Sequence, residues 1–406
     1  MTTAEKDSEV YDSRLLHSLE LANFLSFGEK PKKIELHALN LIIGPNGAGK
    51  SNLIEAIELL RNAPNDLQKP IREGGGIQDW IWKGNKKQSP EVSIKVEIDN
   101  PNSGDNWIHK IVFTVVNQRF ELFSERISNA VKLTEDNLRD QIYYVFIKNT
   151  PKVWIKDEMR ELDVSIFDML DLRQQSILSL LRDPFQYPEI TRIAQSISKV
   201  RIYREWQFGR NNPARLPQKA DLPNDYLAED ASNLGLVLNR FKREPAVKKR
   251  VLEALSELYE GIDDYDVSIE GGTVQVFLQE GNTTIPATRL SDGTLRYLCL
   301  LAILCHPNPP PLVCIEEPEL GLHPDIMPAL AELLKEASTR SQLIVTTHSD
   351  ELVDAMTDQP ESVLVCERDE QGTTLTRLNG ETLKPWLEKY RLGDLWTRGE
   401  IGGTRW

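Results

Sequence analysis

The chain has 406 residues, of which 40% are hydrophobic and 27% are charged, a composition typical of soluble globular proteins. Its formal net charge of -14 excludes a general electrostatic attraction to nucleic acid, so nucleic-acid binding would need a local basic patch. No apolar run approaches the roughly 18 residues of a membrane helix, and the polar N-terminus lacks a signal-peptide core. The four cysteines lie in apolar stretches without C-x-x-C spacing, which predicts reduced core thiols in a cytoplasmic protein with no membrane partner.

The N-terminal part of the chain combines two structural signals. Residues 39–60, LNLIIGPNGAGKSNLIEAIELL, predict a strand, a glycine-rich turn and an amphipathic helix. Residues 91–127 then contain three runs of alternating apolar and polar residues, which predict β-strands. This part is therefore expected to hold both a strand–turn–helix unit and an antiparallel β-subdomain.

The middle of the chain is predicted to be mostly helical between about 160 and 260. A loop at 208–225 interrupts these helices, because its prolines lie among polar residues and cannot occupy a helix interior. Residues 265–281 place a Gly-Gly pair between two apolar runs, which predicts a β-hairpin.

The C-terminal part returns to alternating helices and strands. The predicted order is a helix from about 294, a strand at 312–316, a helix from about 325, a strand at 342–346 and a closing hairpin. Alternation at both ends predicts an α/β fold whose parallel sheet is completed by segments distant in sequence. We expect three parts: 1–128 with the β-subdomain, 129–285 as a mostly helical inserted lobe ending in a hairpin, and 286–406.

Residues 44–51, GPNGAGKS, match the phosphate-loop pattern G-x-x-x-x-G-K-[ST] in full. The glycines let backbone N–H groups converge on one point, Lys50 adds a positive charge near the β and γ phosphates, and Ser51 offers a hydroxyl to magnesium. A chance glycine-rich turn would rarely lie between a strand and a helix as this one does. The predicted ATP-binding residues are Gly44, Pro45, Asn46, Gly47, Ala48, Gly49, Lys50, Ser51 and Asn52.

Two further motifs follow in the C-terminal part. Residues 290–294, LSDGT, precede an apolar helix, so Ser291 and Gly293 lie at a helix N-terminus with free N–H groups. About twenty residues later an apolar strand ends in Glu316 and is followed by Glu317. A common helix cap and a solvated strand end are the alternatives, but the position of LSDGT between a phosphate loop and a glutamate-ended strand favours a second anion site at this helix N-terminus.

Together with VTTHS at 345–349, these motifs resemble those of ABC-type ATPases, and specifically of their RecF/SMC-like branch. The resemblance covers roughly residues 15–60 and 285–350 and implies an ABC-type ATPase head with an enlarged, mostly helical inserted lobe. In that family two heads hold two ATPs between them, and the signature motif contacts the ATP of the opposite subunit. The signature residues here are Ser291, Asp292 and Gly293.

The resemblance also implies roles for the polar residues at the strand ends. Glu316 stands where most relatives carry an aspartate that holds magnesium through water, and Glu317 matches the base that deprotonates the attacking water. His348 matches the switch histidine that reaches the γ-phosphate, and Ser349 is expected to cap the next helix. The catalytic candidates are Lys50, Glu317 and His348. The magnesium candidates are Ser51 and Glu316, with Gln78 as a further one.

Phe24 and Phe27 precede the phosphate loop, where family heads place a segment near the adenine. Core packing is the commoner role for such aromatics. Two basic stretches, 199–219 and 240–250, stand out against the acidic total, and aromatic residues interleave the first. Phosphate contact with base stacking suits this mixture, whereas solvated helix faces are the alternative. The DNA-contact candidates are Arg204, Arg210 and Arg215.

The sequence therefore predicts a magnesium-dependent ATPase that dimerises with a second copy of itself around ATP. We expect it to act on DNA or to control a companion effector encoded nearby, in DNA repair or antiviral defence. The alternatives are the ATPase subunit of a membrane transporter and a non-hydrolysing ATP sensor. Gly44 and Glu316 lie 272 positions apart, more than in transporter heads, while the sensor is distinguished only by a turnover measurement.

Overall fold

The structure is a computed structural model that describes residues 14–84, 90–102, 104–130, 142–147, 150–155, 158–161, 169–204, 206, 208–259 and 261–403. Its strands are β1 (Leu16–Ala22), β2 (Lys32–Glu35), β3 (Leu39–Ile43), β4 (Val92–Ile98), β5 (Trp107–Val116), β6 (Arg119–Asn129), β7 (Ile142–Ile147), β8 (Thr150–Ile155), β9 (Glu158–Glu161), β10 (Arg201–Tyr203), β11 (Gln218–Lys219), β12 (Asp264–Glu270), β13 (Thr273–Glu280), β14 (Thr283–Pro286), β15 (Leu312–Glu316), β16 (Gln342–Thr346), β17 (Val363–Asp369) and β18 (Gly372–Arg377). Its α-helices are α1 (Lys50–Asn62), α2 (Lys69–Glu73), α3 (Met169–Gln174), α4 (Ile177–Leu180), α5 (Pro188–Ser198), α6 (Leu234–Phe241), α7 (Pro245–Leu258), α8 (Asp292–Leu304), α9 (Met327–Ser338), α10 (Asp350–Asp354), α11 (Gly380–Leu387) and α12 (Leu392–Thr397).

A six-stranded sheet in the order β10-β15-β16-β3-β17-β18 forms the centre of the molecule. All neighbours in it are parallel except β17 and β18, which form the predicted closing hairpin. The register pairs Glu316 with Thr346 and Thr346 with Ile42, so β15, β16 and β3 end at the same edge. The α/β class and the parallel sheet built from distant segments are thus confirmed.

Side chains from both faces of this sheet are buried. Along β3, Leu41 and Ile43 belong to one hydrophobic cluster, and Ile42 belongs to the other. Successive strand residues point to opposite faces, so a core lies on each side, as parallel sheets require. The four cysteines are buried and unoxidised, as predicted. In the described part of the chain, none of the helices has the length and apolarity needed to cross a membrane.

An eight-stranded antiparallel sheet in the order β2-β1-β4-β5-β6-β7-β8-β9 forms the second layer. The three predicted β-runs are β4, β5 and β6, and β7 to β9 extend the same sheet further along the chain. The expected boundary at 128 therefore falls inside β6. Helices α3 to α7 share the described middle region with strands β7 to β13, and β10 leaves this region to pair with β15. The three-part division of the chain remains a proposal.

The third sheet joins the inserted region to the C-terminal part. Strand β13 pairs with β12 on one side and with β11 and β14 on the other. The predicted Gly-Gly turn is present, with Gly271 and Gly272 at φ 56 and 79, a region that favours glycine. Strand β14 then leads through a short turn to α8, so this sheet positions the segment that carries LSDGT.

Candidate active site

The phosphate loop connects β3 to α1 and is folded around the ammonium group of Lys50. Gly44, Gly47 and Gly49 have φ values of 144, 79 and 111, which other residues rarely adopt. Lys50 is only 6% exposed, and its ammonium group donates to the carbonyls of Gly44 at 2.8 Å and Pro45 at 3.2 Å. Burial lowers the pKa of Lys50, while nearby acidic groups oppose that shift. The loop therefore holds its lysine at the point where its glycines converge.

The side chains of Ser26, Asn52 and Thr373 form a hydrogen-bonded group that contacts this loop, here called the loop brace. Thr373 Oγ1 lies 2.6 Å from the carbonyl oxygen of Ala48 and 2.7 Å from Ser26 Oγ, to which Asn52 also donates at 2.7 Å. A methyl group on Gly49 would lie 2.4 Å from Thr373 Oγ1, so only glycine fits there. Ser26 and Thr373 were not predicted as site residues. Thr373 is 325 positions away from Ala48, and no local sequence pattern indicates their contact.

Glu317 and His348 lie together at the edge where β15 and β16 end. Glu317 has a left-handed φ of 46, and its backbone N–H donates to the carbonyl of Thr346 at 3.0 Å. His348 Nε2 is 3.5 Å from Glu317 Oε1, and both side chains are about one-third exposed, at 35% and 37%. Ser349 caps α10 by accepting from the backbone N–H of Leu352, as predicted. The edge thus presents an acid and a histidine to solvent beside the phosphate loop.

Arg296 connects the LSDGT helix to this edge. It lies in α8, is 7% exposed, and donates to the backbone carbonyls of Glu317 at 2.9 Å and Trp206 at 3.1 Å. Burial lowers the pKa of the guanidinium from its usual value. Arg296 was not predicted as a site residue, although an arginine in an otherwise apolar helix is a signal that could have identified it.

The signature residues form the first turn of α8. Ser291 caps the helix, and its Oγ accepts from the backbone N–H of Thr294 at 3.0 Å. A methyl group on Gly293 would lie 2.5 Å from the carbonyl oxygen of Gly321, in the turn that follows Glu317. The signature turn and the turn after β15 therefore pack against each other without space for a larger side chain.

Arg215, one of the proposed DNA contacts, lies inside the molecule. It is 9% exposed, forms an ion pair with Asp292, and donates to the carbonyl of Leu290 at 2.6 Å. These contacts fix the chain just before α8. The arginine is already engaged within the protein, which favours a structural role at the signature over contact with a nucleic-acid phosphate.

Arg204 and Arg210, the other two proposed DNA contacts, lie in different surroundings. Arg204 forms ion pairs with Glu55, at 2.8 Å, and with Glu58 on α1. It follows β10 directly, so the register places it beside the end of β15 and near Glu316. Arg210 is exposed. Of the three arginines, Arg210 is therefore the one that is exposed.

The second basic stretch is also balanced by acids. Its cations pair with carboxylates of neighbouring elements, and these pairs are Arg240–Asp225, Lys242–Asp266, Lys248–Asp264 and Arg250–Glu336. Tyr203 and Phe208, which interleave the first stretch, are 2% and 6% exposed and belong to the core. These placements favour the alternative to nucleic-acid binding, in which the charged residues lie on solvated faces and the aromatic residues pack in the core.

The remaining candidates lie in different surroundings. Gln78 is exposed in a short 3-10 turn, where its carbonyl accepts from Lys83 at 2.7 Å. Phe24 is fully buried and packs edge-to-face on Trp80 with ring centroids 5.6 Å apart. Phe27 is also buried, at 4% exposure, and it lines a cavity of about 300 Å³ next to the loop brace. Other residues around this cavity are Lys30, Lys32, Trp82, Gln371 and Thr373.

Sequence comparisons match the chain to one family profile over most of its length and to other proteins over short segments. A family profile described as "AAA domain, putative AbiEii toxin, Type IV TA system" matches residues 39–354. The chromosome partition protein Smc of Lactiplantibacillus plantarum is 39% identical over 88 residues, covering 22% of this chain and 7% of that protein. The DNA replication and repair protein RecF of Lactobacillus johnsonii is 33% identical over 100 residues, covering 24% and 26%. The matches therefore span only a small part of these relatives.

Solved structures with a similar fold cover most of the chain. A crystal structure of the Smc head bound to the C-winged helix domain of ScpA has a TM-score of 0.54 at 16% identity, covering 91% of this chain and 99% of that one. The Smc head domain of Pyrococcus furiosus with an extended coiled coil, bound to the C-terminal domain of ScpA, has a TM-score of 0.52 at 16% identity, covering 92% and 99%. Likeness at this level of identity concerns the fold.

Proposed function

The chain belongs to this AAA domain family with a RecF/SMC-like ABC-type head, and we propose that it binds and hydrolyses ATP between two copies of itself. The observation that carries the proposal is the convergence of charges at one sheet edge. Glu316 ends β15 and Glu317 follows it, both carboxylates act to raise the pKa of Lys50 against the effect of burial, and His348 lies beside Glu317. A cation in a phosphate loop next to an acid–histidine pair suits phosphoryl transfer to water.

The phosphates of ATP would bind at the N-terminus of α1, where the loop N–H groups and Lys50 supply positive charge. Lys50 would exchange its bonds to the Gly44 and Pro45 carbonyls for bonds to phosphate oxygens. The hydroxyl of Ser51 and the carboxylate of Glu316 are oxygen donors from the start of α1 and the end of β15, a set that suits magnesium. Magnesium would neutralise charge on the β and γ phosphates.

Glu317 would accept the proton of the attacking water, because its carboxylate is part-exposed and fixed on a turn beside the loop. His348 would orient the γ-phosphate or that water. The cavity next to the loop brace would receive the nucleobase, since Phe27 and Trp82 are among the residues that line it. Gln78 remains a proposed magnesium sensor only.

The signature turn would contact the ATP of a second copy. Ser291 and Asp292 are exposed at the N-terminus of α8, and Leu320 in the adjoining turn is 50% exposed. An exposed helix N-terminus suits contact with an anion that is bound to a second molecule. We therefore include an ATP-dependent homodimer in the proposal.

DNA is the partner suggested by the names of the relatives, which are a chromosome partition protein and a replication and repair protein. Arg210 is the exposed contact candidate of the original three. The family description names a putative toxin of a type IV TA system, and we keep antiviral defence, with a companion effector encoded nearby, beside DNA repair in the proposal. Copurification of the product of a neighbouring gene would test this part of the proposal.

The test of the activity is phosphate release from ATP by the purified chain. Release that requires magnesium and stops with a chelator supports the proposal. Tight ATP binding with no release by protein that forms the dimer would favour the non-hydrolysing sensor. Fractionation with a membrane complex would favour the transporter subunit.

A further inference from the structure

Glu319, in the turn after β15, contacts the loop that carries His348. Its Oε1 accepts a hydrogen bond from the hydroxyl of Thr347 at 2.7 Å and another from the backbone N–H of His348 at 2.7 Å. Its Oε2 is buried and accepts no hydrogen bond from the residues that the structure describes. A single carboxylate oxygen thus receives two donors at and next to His348.

These bonds extend the connection between β15 and β16 beyond the ends of both strands. The backbone N–H of Glu317, just after β15, donates to the backbone carbonyl of Thr346 at the end of β16. The backbone N–H of His348, just after β16, donates instead to the side chain of Glu319. The turn that presents Glu319 is fixed, since the N–H of Leu320 donates to the carbonyl of Glu317 at 3.2 Å. The carboxylate therefore takes the place of a missing strand partner.

Burial makes this contact important for the loop. Desolvation raises the pKa of Glu319, and the hydrogen bonds from His348 and Thr347 oppose that shift. Removing the carboxylate would leave the buried hydroxyl of Thr347 and the more exposed backbone N–H of His348 without this acceptor, and an unsatisfied buried donor is costly. The loop would then shift to find other partners, and the imidazole of His348 would move with it.

We propose that Glu319 is a positioning residue that holds the backbone of His348 and so places its imidazole beside Glu317. The effect on hydrolysis rests on the proposed function, whereas the effect on the loop does not. A residue that only stabilised its own turn would change stability without acting through His348. The two roles are separable by experiment.

The experiment compares Glu319→Ala with Glu319→Gln, which keeps a carbonyl oxygen as acceptor. Hydrogen exchange of the His348 amide should become about tenfold faster or more in Glu319→Ala and stay within about threefold of wild type in Glu319→Gln. In Glu319→Ala, kcat should fall roughly tenfold or more while the Kd for ATP changes less than about threefold, because a misplaced group affects the chemical step. In a His348→Ala background, adding Glu319→Ala should change kcat less than about twofold.

Should Glu319→Ala not fold, Thr347→Val removes one of the two donors at nearly constant volume. It should speed His348 exchange and lower kcat by several-fold, and no change in either quantity contradicts the proposal. Unchanged His348 exchange in a folded Glu319→Ala protein overturns the proposal whether or not the wild type hydrolyses ATP. A full further loss of kcat in the His348→Ala background also overturns it, because Glu319 would then act elsewhere. If the wild type lacks turnover, the proposed function fails, and the exchange comparison still decides the role of Glu319.

Discussion

The sheet edge at the phosphate loop and the basic stretch at 199–219 both concentrate charge, yet they use it differently. At the edge, Glu317 and His348 remain about one-third exposed beside Lys50. In the basic stretch, Arg204 and Arg215 are held in ion pairs within the chain. Charge stays available for a ligand where parallel strands end together. A charge cluster in a connecting segment can instead be neutralised by acids that the fold brings to it.

The largest expected effect is on the rate of ATP hydrolysis, and it tests whether the sheet edge at the phosphate loop is a catalytic site. Glu317→Gln keeps the shape of the side chain but cannot accept a proton, so kcat for ATP hydrolysis should fall by about 10²–10⁴-fold. ATP binding should persist in calorimetry. Glu253→Gln, at an exposed position on α7, is the matched control and should retain full turnover. Normal hydrolysis by Glu317→Gln would remove this residue as the base.

The next effect tests the cation of the same edge. Lys50→Ala removes the side-chain charge of the phosphate loop, so the Kd for ATP should rise by at least about 30-fold, as for the loss of a hydrogen-bonded charge pair. Calorimetric titration measures the change. Lys249→Ala, on the exposed face of α7, should bind ATP as the wild type does. Undiminished affinity in Lys50→Ala would show that the loop does not bind the phosphates as proposed.

A smaller effect addresses the basic stretch. Arg215→Ala leaves buried carbonyls such as that of Leu290 without a donor, so the free energy of unfolding should fall by about 1–3 kcal/mol. Arg210→Ala, at an exposed position, should change it by less than about 0.5 kcal/mol. Urea unfolding of both variants provides the comparison. Equal stability losses would contradict the distinction between an internal and an exposed arginine.

The smallest effect concerns DNA. If Arg210 contacts a phosphate, Arg210→Glu should weaken DNA binding several-fold and reduce the salt slope of log K by about one. Fluorescence anisotropy at several salt concentrations measures both quantities. Identical binding and slope, or no binding by the wild type at low salt, would exclude Arg210 as a contact.

The sequence allowed prediction of features with local signals. The phosphate loop is contiguous in sequence and therefore matches a local pattern. The predicted strands 312–316 and 342–346 match β15 and β16, because short apolar runs between turn signals indicate buried strands. The three-residue strand β10 is too short to show a period. Thr373 and Arg296 act on segments far away in sequence, so their contacts follow from topology and have no local pattern.

The pairing of Arg204 with α1 was unpredictable for the same reason. The basic stretch is visible in the sequence, but Glu55 and Glu58 lie about 150 positions earlier and approach only when β10 joins the sheet. Composition identified the cations without identifying their partners. The fold of the edge, by contrast, was expected from the resemblance of its motifs to those of RecF/SMC-like ABC-type ATPases.

The most direct test of a nucleotide site shared by two copies is the mass of Glu317→Gln in solution. Size-exclusion chromatography with light scattering would compare the protein with ATP and magnesium, with ADP and without nucleotide. Uncleaved ATP should hold two molecules together through Ser291 and Gly293, so a dimer is expected only with ATP. Adding Ser291→Arg should abolish it. A Glu317→Gln protein that binds ATP but stays monomeric, or a dimer independent of nucleotide, would contradict the shared site.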